Sequence, residues 1–392
     1  MKLCILTSSY PQAANDPAAT AGLFVKDFAE AVASQGCDVT VLTQDRCLGE
    51  PAEETSNVRL VKYPWRGGNS RASYLRPYMP GDALKMVSLV RQGWLALQRL
   101  HKEQGFDHVL AMWAAPAGYL AQKLKQQYGV PFTTWCLGSD IWTYGRIPVF
   151  RSAIARVLQD ADLLYADGED LCRQTEKLGG MPCEFMPSSR RLDSSLAQPV
   201  PVIDREAGTR FFFVGRYAAV KGVDVLLEAM ARFRQRGGKG HLYMFGGGPR
   251  EDDLRQRAAQ TDLAECVTVG GFADEATVVS YLTACDCAVI PSRMESIPVA
   301  LSDALQMERP VIVSDVGDMG QLVRDSSAGL VVPAEDVTAL CDAMFAIASR
   351  SQSDFRDGVA ALASKFDIGH AACEWLERVP SRQAEHPVES LA

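Results

Sequence analysis

The sequence predicts an α/β protein built of two Rossmann-like lobes facing a central cleft, and three observations predict it. At 392 residues the chain is longer than one hydrophobic core comfortably serves, so two domains are expected. Short apolar runs alternate with amphipathic stretches along its length, the pattern of βαβ units around a mostly parallel sheet. The alternation pauses at SSLAQPVPVIDREAGT (194–209), whose Pro, Ser and Ala content reads as a linker. Ligands of such sheets lie beyond the carboxyl ends of the strands, which puts the expected site in the cleft.

Each element follows from its local pattern. KLCILTS (2–8) reads as a strand, LFVKDFAEAVASQG (23–36) as a helix closed by Gly36, and DVTVLT (38–43) as the next strand. HVLAM, a helix near 117–128 and PFTTWCL repeat the unit, and DLLYAD (162–167) extends it. A second series begins at RFFFVG (210–215), runs through HLYMFG, CVTVGG and CAVIPS, and ends with PVIVSD (310–315) and GLVVP (329–333). DIGHAACEWLERV (367–379) reads as a closing helix. The division is therefore 1–195 for the first lobe, 196–209 for the linker, 210–365 for the second lobe, 366–380 for the closing helix and 381–392 for a tail.

Composition narrows the function classes. The apolar fraction of 47% and charged fraction of 22% are those of an ordinary globular protein. A net charge of −8 argues against broad nucleic-acid binding. Eleven cysteines are scattered without CxxC pairs or Cys/His clusters, so buried, reduced thiols are expected rather than a disulfide framework or a zinc site. The opening MKLCILTSSYP is too short an apolar run for a signal peptide. No stretch of about 18 apolar residues points to a membrane span. Segment 60–105 holds eight Lys/Arg against two Asp/Glu, with Trp65, Tyr74, Tyr78 and Trp94 interleaved. Its helix spaces Met86, Leu89, Val90, Trp94 and Leu97 on one face. That face either packs on its own lobe, the simpler reading, or rests on an anionic membrane surface or a lipid-linked acceptor.

Two stretches carry the chemistry. In RFFFVGRYAAVKG (210–222) a strand ends at Gly215, and Lys221-Gly222 opens a helix. Unpaired N–H groups and the dipole of a helix N-terminus favour phosphate; Arg216 offers a fork of donors and Lys221 a point charge. An ordinary strand–loop–helix turn explains the same residues. In PSRMESIPVALSDALQMERPVIVSD, Glu295 follows a strand, Pro298 stands near the first helical turn, and Asp303 lies eight residues after Glu295. Two carboxylates so placed can accept hydrogen bonds from sugar and ribose hydroxyls. Taken alone, Glu295 is better explained as an acid complementing the helix dipole, and Asp303 as an exposed acid on the helix. Asp160 and Asp162 form a D-x-D between a helix and a strand, where turn chemistry accounts for both.

Taken together these stretches resemble the retaining glycosyltransferases of family 4, which adopt the GT-B fold. Gly215, Arg216, Lys221 and Gly222 match the family's G-R-x4-K-G segment. Gly246, Gly248 and Pro249 match its G-x-G-P turn, Glu295 and Asp303 its E-x7-E helix entry, and SYP…AGLFVKDFAEAVASQGCDVTVLT (9–43) its N-terminal start. The resemblance implies a metal-independent glycosyltransferase that moves a sugar from a UDP- or GDP-linked donor to a hydroxyl of a glycan or lipid-linked acceptor. The setting it implies is polysaccharide or glycolipid assembly on the cytoplasmic side, and in this fold the closing helix crosses back to the first lobe. By the same resemblance, Arg216 and Lys221 neutralise the departing diphosphate and Glu295 contacts the transferred sugar. Backbone from Ser296 through Ile297 and Pro298 to Val299 lines its hydroxyls and the β-phosphate. Asp303 binds ribose, Gly22 lets backbone approach the donor from the opposite lobe, Gly215 and Gly248 belong to the donor-binding set, and Asp140 orients donor or acceptor. No cofactor is implied beyond the donor itself.

The chain departs from the family in three places. Asp303 replaces a Glu, Met112 stands where AMWAAPAGYLA would carry His, and Leu137 stands where TTWCLGSDIW would carry His. Arg190 and Arg191 lie just before the linker, where the family often has an Asn-Gly turn, and are expected to face the cleft. Met112, Leu137 and Asp303 leave open a non-catalytic sugar-nucleotide-binding relative. A two-lobed sugar-nucleotide epimerase of similar fold is the other alternative, though the absent His makes simple acid–base epimerisation less attractive.

Overall fold

The structure is a computed structural model, and it describes residues 1–13, 22–47, 57–70, 75 and 79–380. The tail 381–392, Tyr74, Tyr78 and residues 14–21 of the family-like N-terminal start lie outside the described residues. The chain divides into two compact units, Met1–Ser188 with the segment from Ile368 onward, and Ser189–Asp367.

The first unit is a doubly wound sheet. Its strands are β1 (Lys2–Leu6), β2 (Asp38–Gln44), β3 (Val58–Tyr63), β4 (His108–Met112), β5 (Phe132–Cys136), β6 (Leu163–Ala166) and β7 (Glu184–Phe185). They lie in the order β3-β2-β1-β4-β5-β6-β7, every ladder parallel. Strands β4 and β5 are buried at every residue, as expected where helices cover both faces of a parallel sheet. Those helices are α1 (Leu23–Ser34), α2 (Pro80–Gln104), α3 (Tyr119–Tyr128), α4 (Ser139–Trp142), α5 (Pro148–Asp160) and α6 (Glu169–Gly179).

Helix α2 buries Leu89 and Leu97 in the core, with Val90 and Trp94 packed against it; its predicted apolar face therefore covers its own sheet. Leu84, Val87 and Leu95 stay exposed on it. Lys125 donates to the carbonyl of Asp160 at 2.8 Å and to Asp162 Oδ1 at 2.7 Å, while Asp162 Oδ2 accepts from the Phe132 amide at 2.9 Å. The D-x-D thus ties a helix end to the start of β5, which is turn chemistry.

The second unit repeats the plan with β8 (Thr209–Val214), β9 (Gly240–Phe245), β10 (Val267–Val269), β11 (Cys287–Ile290), β12 (Val311–Ser314) and β13 (Gly329–Val332). Their order is β10-β9-β8-β11-β12-β13, again all parallel. Helices α7 (Val223–Gln235), α8 (Glu251–Ala258), α9 (Glu275–Ala284), α10 (Val299–Gln306), α11 (Met319–Ser326), α12 (Val337–Ala348) and α13 (Arg356–Ser364) flank the sheet. The proline-containing stretch 194–209 belongs to this unit, carrying two short 3-10 turns.

The closing helix α14 (Ile368–Arg378) belongs to the first unit. Its Trp375 is 1% exposed, packs on Phe28 with ring centroids 5.7 Å apart, and donates its indole N–H to Thr133 Oγ1 at 3.1 Å. Thr133 Oγ1 also lies 2.8 Å from His108 Nε2. Burial holds that imidazole down at about 4, so one buried hydroxyl links β4, β5 and α14.

Candidate functional site

The carboxyl ends of β8, β9 and β11 gather most of the residues singled out above. From β8 the chain enters Gly215 and the exposed Arg216, then a 3-10 turn, Ala219–Lys221. Gly222 follows as the N-cap of α7 with φ +64°. A Cβ at Gly222 would lie 1.9 Å from the carbonyl oxygen of Pro291, so both the backbone conformation and the closeness of the neighbouring loop require glycine. Gly246, with φ +154°, meets the same limit 1.9 Å from the Gly215 carbonyl oxygen. The glycine-rich turn after β9 therefore lies directly against the loop after β8. Tyr217 N donates to Gly247 O at 2.9 Å, and Arg250 N to Tyr217 O at 3.0 Å.

The loop after β11 closes this corner. Lys221 Nζ pairs with Glu295 Oε2, joining the two charged residues of the separate motifs. Arg293, which the sequence reading did not single out, braces the corner. Its backbone N–H donates to Val220 O at 2.8 Å, and its guanidinium grips both oxygens of Asp224 at 2.8 and 3.0 Å. Arg250 adds a second contact to Asp224 at 3.2 Å. Partial burial pushes the Asp224 carboxyl up, but the hydrogen bonds and charges of Arg293 and Arg250 outweigh it and hold it at about 2. Nothing in the spacing of Arg293 distinguished it from a solvated loop cation.

Helix α10 begins with Pro298 as N-cap, with no side chain capping it. Just before it, the Ser296 hydroxyl is buried with no hydrogen-bond partner among the described residues. A buried polar atom without a partner calls for an explanation, a bound ligand among them. Asp303 lies further along α10 and is 2% exposed. Both its oxygens are taken by Arg190, Nε at 2.9 Å and Nη2 at 2.6 Å. Burial raises the Asp303 carboxyl and Arg190 lowers it. Gln306 Nε2 donates to Arg190 O at 2.7 Å, and Leu192 N to Gln306 Oε1 at 3.0 Å. The acid read as a ribose ligand thus holds the segment entering the second unit.

In the first unit, Asp140 is fully buried. Its Oδ2 accepts from Ala114 N at 2.8 Å and its Oδ1 from Ile141 N at 3.2 Å, fastening the loop after β4 to the turn after β5. Burial raises its carboxyl against the pull of those amides. Trp113 beside that loop has φ +72°, a strained conformation for a bulky side chain of the kind that gathers at functional sites. Met112 is fully buried and Leu137 packs against the same cluster, so apolar packing fills the positions where the family has His. A Cβ on Gly22 would lie 2.7 Å from the backbone of Tyr10; its glycine serves a close approach of the chain to itself.

Two parallel sheets, with a glycine-rich cationic corner at the strand ends of the second, define the class: a GT-B glycosyltransferase. Comparison with known proteins gives the family. Residues 208–350 match the family described as "Glycosyl transferases group 1", and residues 20–185 match the "Glycosyl transferase 4-like domain". The chain belongs to the family-4 type of glycosyltransferases. It is 32% identical over 132 residues to alpha-D-kanosaminyltransferase of Streptomyces kanamyceticus, a match covering 34% of each chain. With the D-inositol 3-phosphate glycosyltransferase of Jonesia denitrificans it shares 24% identity over 365 residues, 84% of this chain and 83% of that one. The chain thus spans about a third of the first relative's length and most of the second's. Among solved structures it resembles HepE of Anabaena in complex with UDP-glucose, with a TM-score of 0.68 at 15% identity, covering 97% of this chain and 100% of that one.

Proposed function

We propose that this chain transfers a glycosyl group, with retention, from a UDP- or GDP-linked donor to a hydroxyl of a glycan or lipid-linked acceptor. The observation that carries the reading is the meeting of Lys221, on the loop that also carries Arg216, with Glu295 just before α10. In this reading Lys221 and Arg216 take the diphosphate oxygens, and the first amides of α10 with the Ser296 hydroxyl complete the cradle. Glu295 accepts hydrogen bonds from the sugar. The bond between the sugar's anomeric carbon and the β-phosphate oxygen breaks, and the acceptor oxygen bonds to that carbon on the same face. The acceptor's proton passes to the departing phosphate oxygen, so neither His nor metal is needed for the proton or the charge. HepE, solved with UDP-glucose, supports a nucleoside diphosphate donor.

The test is release of nucleoside diphosphate from a panel of UDP- and GDP-sugars, with and without acceptor glycans and with EDTA present. Anomeric analysis of the product reads the stereochemistry. Turnover that persists in chelator and is lost in Glu295→Ala supports the reading. Conversion of the donor sugar without acceptor would instead show an epimerase, and donor binding without turnover a non-catalytic relative.

A further inference from the structure

We propose that the second unit also binds a phosphorylated small molecule, at the amino ends of its strands. A cavity of about 650 Å³ opens there, beside Gly208, Thr209 and Pro310, within the usual size range of small-molecule sites. The corner built on Gly215 and Gly246 stands at the other end of the same strands. Strand β8 is six residues long, so about 20 Å of strand separates the two places.

Charge sets the ligand's chemistry. Arg205, Lys239, Arg350 and Arg356 line the cavity with a single carboxylate, Asp286. That carboxylate is already engaged: Arg210 bonds it at 2.8 and 3.0 Å, and Arg205 lies 3.5 Å away. The excess is local, because the chain as a whole carries −8. It is also assembled by the fold rather than by a run of basic sequence. Arg205 precedes β8, Lys239 precedes β9, and Arg350 and Arg356 follow α12. Behind them Arg309 donates to Gln352 Oε1 at 3.0 Å, and burial, then the charge of Arg205, lowers its guanidinium. Cations drawn together in this way are relieved by an anion that bridges them.

The cavity has an aromatic side as well. Phe345 is half-buried in its wall, and Arg350 lies over the Phe355 ring at 5.8 Å. The Phe345 ring is itself covered by Arg236, 4.8 Å from its centroid, and packed by Phe233 at 4.5 Å, so the polar wall of Ser351, Gln352 and Ser353 is what meets the rest of the ligand. A phosphate dianion on a hydroxylated body, as in a hexose phosphate or a nucleoside monophosphate, fits this lining: phosphate oxygens on the guanidinium forks, hydroxyls on the polar wall.

Calorimetric titration of the full chain with inorganic phosphate, glucose 6-phosphate and AMP tests the site. The proteins compared are wild type, the Lys239→Ala/Arg350→Ala double variant and Lys221→Ala. Both substituted cavity cations are exposed, so the fold should survive, and far-UV circular dichroism checks it. At least one of the three probes should bind wild type and Lys221→Ala alike and lose tenfold or more in affinity in the double variant. Which probe binds tightest distinguishes free phosphate from the sugar and nucleotide sources. Absence of binding by all three, equal binding by the double variant, or loss in Lys221→Ala would overturn the proposal.

Discussion

Arg190 holds both carboxylate oxygens of Asp303, at 2.9 and 2.6 Å, with side-chain exposures of 13% and 3%. Removing one partner of a buried pair leaves the other charge without compensation. Arg190→Ala should therefore cost about 3–5 kcal/mol, read by urea denaturation. An Arg190→Met/Asp303→Leu double variant should recover most of that loss. A single variant as stable as wild type would show that the pair contributes nothing.

Lys221→Ala should leave the melting temperature nearly unchanged and lower transfer by about 10²–10³-fold, the size expected when one charge-stabilising donor is lost from a reaction centre. Initial rates at saturating donor check this. Normal turnover would remove Lys221 from the diphosphate site.

Gly222→Ala places a Cβ 1.9 Å from the Pro291 carbonyl oxygen at φ +64°. The loop must shift, at a cost of about 1–3 kcal/mol, and the Lys221–Glu295 pair beside it shifts too. Both a lower melting temperature and weaker donor binding are expected. Gly36, also at positive φ but with nothing within 4 Å of its Cβ, is the control: Gly36→Ala should leave donor binding intact.

Asp224 links stability to pH. Its carboxyl, held at about 2, lies below the ordinary carboxylate value of about 3.9. Its contribution is therefore complete above about pH 4 and is lost as pH falls through about 2. Asp224→Asn should lower stability at neutral pH and flatten the acid limb between those values. Melting temperatures of both proteins from pH 7 to pH 2 give the comparison.

Much of this was legible in the sequence, for reasons that differ by element. Both sheets were readable because strands such as β4 and β11 are buried at every residue and so appear as largely apolar runs, HVLAM and CAVI. β3 was not, because its central residues are only half-buried or exposed and mix charges with apolar side chains. The glycines of the site were legible because Gly222 and Gly246 answer to backbone closeness that no other residue tolerates. Arg293 was not, since its role depends on the β8 and β11 loops meeting across 69 residues. The positive φ of Trp113 was equally invisible, because it is imposed by the tertiary setting. Asp303 was found as an acid on the right helix, but its pairing with Arg190, 113 residues away, is a matter of tertiary structure.

The path of the chain has a consequence for taking the molecule apart. Ser189 Oγ donates to the carbonyl of Phe366 at 2.6 Å, so the stretch from Ser189 to Asp367 starts and finishes at one spot. That stretch is a self-closed insert, and the first unit takes the helix bearing Trp375 from beyond it. Excised, the insert should fold as a single continuous gene product, even with its ends joined into a circle. The host needs its two pieces reconnected by a short bridge to do the same.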